Sequence, residues 1–160
     1  MNKYFNRLIV FLSSSLLVFS CVKKTVYDAV PEIEYNSFIP YTDETADINI
    51  KFKDGDGDIG VQATTDTTKN FWVNYYYKDT VTQKYVAFCY GCGTDSLKTS
   101  YGVRAPNGSF AGKPISGEIS VRLQQYRHSK KIKHIKYVVY LYDKAKHKSN
   151  VVTSPEITVP

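Results

Sequence analysis

His134-Ile135-Lys136-Tyr137-Val138-Val139-Tyr140-Leu141 is the stretch on which the fold turns. Ile135, Tyr137, Val139 and Leu141 alternate with His134, Lys136, Val138 and Tyr140. A period of two belongs to a strand with one face buried and one toward water. The same alternation recurs upstream. Ile48, Ile50 and Phe52 alternate with Asn49, Lys51 and Lys53; Phe71, Val73, Tyr75 and Tyr77 with Trp72, Asn74, Tyr76 and Lys78; Ile119, Val121 and Leu123 with Glu118, Ser120, Arg122 and Gln124. The abundant Tyr, Val, Thr and Ile suit a pleated sheet.

Turn signals separate these runs: Asp54-Gly55-Asp56-Gly57, Lys78–Gln83, Tyr90-Gly91-Cys92-Gly93, Pro106-Asn107-Gly108 and Lys144–Asn150. Weaker strands fall near 33–38, 84–90, 98–104 and 151–159. Seven or eight strands without a helical pattern predict an all-β, two-sheet antiparallel sandwich over residues 32–160.

The first residues follow another rule. Lys3 and Arg7 precede an apolar run, Leu8–Phe19, which ends at Ser20-Cys21. At 1.5 Å per residue that run spans about 18 Å, too short for a bilayer core of roughly 30 Å. Residues 1–20 therefore read as a signal peptide. Leu17-Val18-Phe19-Ser20-Cys21 resembles a lipobox, with Phe19 bulkier than the small residue usual at its place. That resemblance implies a lipidated Cys21 as the first mature residue, followed by a tether over 21–31, with the lipid bilayer as its first partner. Two or more acyl chains anchor stably where one does not.

The chain carries a net charge of +6, which falls to +4 once Lys3 and Arg7 are removed. Nine Lys or Arg lie between Arg122 and Lys148, against the single acid Asp143. For an exported chain, a basic stripe points to anionic headgroups or acidic glycans rather than nucleic acid. The plain alternative is a solvated face.

Three motifs carry candidate chemistry. Asp54, Asp56 and Asp58 alternate with Gly55 and Gly57, and calcium takes six to eight oxygens at about 2.3–2.6 Å. The stretch starts like an EF-hand loop and then departs from it, with Ile59 at the sixth position and Thr65 at the twelfth. It reads either as a calcium loop or as a hydrated turn in which Gly55 and Gly57 permit positive φ. Cys89 and Cys92 form an even pair once Cys21 is set aside. A turn-closing disulfide is expected; a redox pair would need a helix N-terminus, and a zinc site would need four ligands. Trp72 and Tyr76 share the strand side opposite Phe71, Val73 and Tyr75. They read as an outward platform for sugar rings, or as packed residues of a covered face. Neither a nucleophile motif nor a phosphate-cradling loop is apparent, so a non-catalytic role is expected.

Phe52-Lys53-Asp54-Gly55-Asp56-Gly57-Asp58-Ile59-Gly60 resembles the F-x-D-G-D-G-D-I/L-G signature of small uncharacterised lipoproteins of the Bacteroidota. Tyr140–Asn150 is similar to their Y-x-x-D-x-A-G-N-x-S-N hairpin, matching at Asp143, Ala145, Ser149 and Asn150. Lys146 and His147 stand where Gly and Asn are usual, so the tighter turn is expected to be missing. The resemblance implies an immunoglobulin-like (fibronectin III-like) sandwich and no particular activity. Lys23 and Lys24 occupy the place of the acidic cluster that directs some such lipoproteins to the cell surface, which points to a periplasm-facing outer-membrane position. The expected role is a membrane-anchored structural or interaction module of the envelope with a protein partner. The alternative is a glycan-binding accessory using Trp72 and Tyr76.

Overall fold

The computed structural model describes residues 26–60, 67–88, 97–104 and 110–160. The expectations for residues 1–20, Cys21, Cys89 and Cys92 fall outside them. Nine strands form among the described residues: β1 (Glu32–Pro40), β2 (Ala46–Asp54), β3 (Phe71–Lys78), β4 (Tyr85–Ala87), β5 (Lys98–Tyr101), β6 (Ile115–Leu123), β7 (His134–Leu141), β8 (Val152–Thr153) and β9 (Ile157–Thr158). No helix of the described residues is long and apolar enough to cross a membrane.

The strands make two sheets, and every pairing is antiparallel. One sheet has the order β1-β2-β6. In the other, β3 lies between β7 on one edge and β4 and β5 on the opposite edge. β8 and β9 pair with the far edge of β7. This is an all-β, two-sheet fold of the sandwich kind. The expectation of seven or eight strands is exceeded because the run 151–159 is split. Pro155 has no N–H to give to a ladder. Beside it, the Ser154 hydroxyl accepts the Tyr137 N–H (3.0 Å) and the Ser154 N–H reaches the Tyr137 carbonyl (2.9 Å).

The alternation read from the sequence sets the core. Ile135, Tyr137, Val139 and Leu141 of β7 are buried, and so are Phe71, Val73 and Tyr75 of β3. Facing them are Ala46, Ile48, Ile50 and Phe52 of β2 with Ile119, Val121 and Leu123 of β6. Each such aliphatic or aromatic side chain contributes about 1.5–3 kcal/mol on leaving water. β2 breaks the pattern once. Asn49 is buried on the outer face, where its amide donates to Ser37 Oγ (2.9 Å).

The 142–148 turn closes despite lacking the expected glycine. Lys146 takes φ 72°, the left-handed region a glycine would occupy without strain. The buried Asp143 carboxylate compensates by accepting the His147 N–H (2.7 Å) and contacting His147 Nδ1 (2.8 Å).

Candidate metal centre at the Asp-Gly loop

The core face of β2 runs Ala46, Ile48, Ile50, Phe52, Asp54. The alternation that buries Phe52 therefore carries a carboxylate inward two residues later, and Asp54 is fully buried. Its Oδ2 accepts the Ile59 N–H (3.2 Å), closing the loop on itself. Asp58 Oδ2 accepts the Ala145 N–H (3.1 Å) from the 142–148 turn. The Asp56 carbonyl accepts the Gly112 N–H (2.5 Å). Three remote segments thus hold the loop: residues 110–113, the 142–148 turn, and the stretch before β1, whose Asp28 carbonyl accepts the Gly55 N–H (2.7 Å).

Glycine is required at two places for different reasons. Gly57 has φ 68°, and a Cβ there would sit 2.1 Å from the Phe110 carbonyl oxygen. Gly55, expected to supply positive φ, does not. It supplies space instead, since a Cβ there would lie 2.3 Å from the Tyr27 carbonyl oxygen.

The second oxygens decide what the loop can do. Oδ1 of Asp54, Asp56 and Asp58 are all buried without a hydrogen-bond partner. Ligand atoms from the three carboxylates lie within 4.8 Å of one another. Two unit charges at that separation repel by roughly 3 kcal/mol at an effective dielectric of about 20. Buried polar atoms are normally satisfied, and an ionised carboxylate left bare is among the costliest exceptions. Burial, then the Asp56 charge, push the Asp54 carboxyl up to about 6. Burial, then Asp143 and Asp56, raise that of Asp58. Oxygens sharing one calcium at about 2.3–2.6 Å cannot be more than roughly 5 Å apart, and these meet that limit. The cluster can therefore coordinate a hard cation through three carboxylates, with carbonyl or water oxygens completing the shell.

Asp143 was not anticipated here. It lies close enough to raise the Asp58 carboxyl and shapes the turn that grips Asp58. The available signal was its isolation as the single acid in a basic stretch.

Trp72 and Tyr76 lie on the outer face of β3, half-buried, with the buried Asn74 between them. Trp72 runs parallel to Tyr140 across the strand pair (6.3 Å between centroids, 13°). Lys148 Nζ caps the Tyr140 ring at 4.1 Å, and Lys136 Nζ caps Tyr85 at 4.4 Å. The basic stretch does not form one stripe. Arg122 projects from β6, pairs with Asp47 and covers the Tyr41 ring, whereas Lys136 and Lys148 cover rings of the other sheet.

No family model, curated protein or solved structure matches the chain.

Proposed function

We propose that the chain is an envelope lipoprotein, anchored through acylated Cys21, whose domain is a non-catalytic interaction module built around a calcium ion. The observation that carries the cation is the set of three buried, unpartnered carboxylate oxygens on Asp54, Asp56 and Asp58. Calcium is favoured over softer metals because every offered donor is a carboxylate oxygen. The strand order supports an immunoglobulin-like sandwich. In that fold strands A, B and E share one sheet and C, F and G the other, and β1-β2-β6 and β3-β7-β8 follow the same order. The lipobox and the two short motifs support the envelope address.

Thermal melting under calcium titration tests the cation. An extracellular-type site with Kd near 10⁻⁴ M, held at about 10 mM calcium, gains roughly 2.7 kcal/mol, read as a rise of about 5–10 °C. An unchanged melting temperature contradicts the site. Membrane fractionation tests the anchor: Cys21→Ser is expected in the soluble fraction, and sedimentation after a high-salt wash contradicts acylation. The glycan reading has less behind it, because lysines already cap Tyr140 and Tyr85 beside Trp72 and Tyr76.

A further inference from the structure

We propose that cation occupancy at Asp54, Asp56 and Asp58 controls whether the segment Val26–Val30 is clasped to the domain or released from it. The inference rests on the cation reading above and adds a consequence for the chain that leads into β1.

Gly55 sits between two of the three carboxylates, and its backbone is the seat of that segment. The Gly55 N–H donates to the Asp28 carbonyl at 2.7 Å. A Cβ at Gly55 would fall 2.3 Å from the Tyr27 carbonyl oxygen and 2.5 Å from that of Asp28, so the two backbones lie directly against each other. Asp28 Oδ1 then accepts the Val30 N–H (3.0 Å), turning the chain toward the buried Pro31. The two ends of the segment are open to solvent. Val26 is 79% and Val30 43% exposed. Tyr27 is half-buried and borders a groove of about 460 Å³ whose other walls are residues of the sheet, among them Ile33, Lys51, Phe52 and Glu118.

Beyond Pro31 the hold no longer depends on the loop. Ile33 donates to Asn150 Oδ1 (2.7 Å) and accepts from Asn150 Nδ2 (2.8 Å), and β1 pairs with β2 along its length. The segment that can come loose therefore ends at a fixed point.

The loop can occupy two arrangements. With a cation, three like charges are drawn to one centre and the Gly55 backbone is fixed between them. Without one, the charges repel, the loop relaxes, and the Gly55 seat moves with it. Five released residues at up to about 3.5 Å each add roughly 17 Å of reach between the domain and whatever precedes Val26. Calcium would thereby set the standoff and the angle of the domain on its tether.

Hydrogen exchange of the detergent-purified full chain, with calcium and with chelator, tests this, alongside calorimetric titration of the same sample. The expected result is calcium binding together with a slowing of about tenfold or more in exchange for peptides covering 26–31 and 55–60, and no change across 134–141. Asp56→Asn, which replaces a carboxylate oxygen by an amide nitrogen and breaks no side-chain hydrogen bond among the described residues, is expected to abolish both responses. Binding without altered exchange at 26–31 overturns the clasp and leaves the cation site standing. Absence of binding overturns both. Calcium-dependent protection of 26–31 that persists in Asp56→Asn assigns the effect elsewhere and overturns the clasp.

Discussion

At the end of the sheets where Ala46 pairs with Leu123, Phe38, Tyr75, Tyr126 and Tyr137 fill the space with rings, Phe38 lying 5.7 Å from Tyr137 and 5.6 Å from Tyr126. At the end where Asp54 pairs with Ile115, three carboxylates occupy the comparable place. Both ends hold orphaned polar atoms, among them Tyr137 Oη and the Asp Oδ1 atoms. The Tyr137 phenol is kept neutral because burial raises its pKa, and a neutral orphan costs about 1–3 kcal/mol. Burial and the like charge of Asp56 raise the carboxyls of Asp54 and Asp58, and ionising them there is costlier than leaving a phenol unpaired. One end is filled by neutral rings; the other offers three carboxylates that can coordinate a metal ion.

Four measurements probe this difference between the two ends. Tyr137→Ala should have the largest effect, a loss of about 3–5 kcal/mol in urea unfolding, equal with and without calcium. A calcium-dependent loss would mean that the two ends are not independent. Asp54→Asn should act with opposite signs in two conditions. In chelator it should raise the melting temperature, because a bare buried charge is removed; in calcium it should lose the roughly 3 kcal/mol that the ion supplies. Destabilisation in both conditions would make Asp54 a plain structural residue.

The third concerns pH. Asp54 titrates near 6 folded, against 3.8 as its ordinary value, so the folded state binds that proton more tightly. Cation-free protein should therefore gain about 4–9 °C as pH falls from about 7 to about 4, and lose it as pH rises through 6. Asp54→Asn should flatten this slope. The smallest effect is expected at the 142–148 turn. Lys146→Gly relieves the left-handed φ of 72° and should stabilise by about 0.5–1 kcal/mol in either condition.

Much of the fold was legible because strand alternation is local. Ile135–Leu141 and Ile48–Phe52 state their buried faces with no knowledge of their partners. The same rule places Asp54 inward, a consequence visible in the sequence once Phe52 is placed. The grip on the loop was not legible. Asp28, Gly112 and Ala145 reach it from segments remote in the chain, and no local period records such meetings. Gly55 shows the cost of reading locally: it looks like a φ requirement and proves to be a spacing one. Lys146 shows the reverse. A left-handed turn forms without glycine because the Asp143 carboxylate binds the turn from inside. Trp72 and Tyr76 were placed on the correct side of β3, but the lysines that cap their neighbours lie on other segments.

The difference between the two ends rests on the carboxylate end holding an ion. Diffraction from crystals grown in calcium, with anomalous data to identify the atom, tests it most directly. One calcium is expected, with Oδ1 of Asp54, Asp56 and Asp58 each about 2.3–2.6 Å away. Those three oxygens bound only to water at saturating calcium would contradict it.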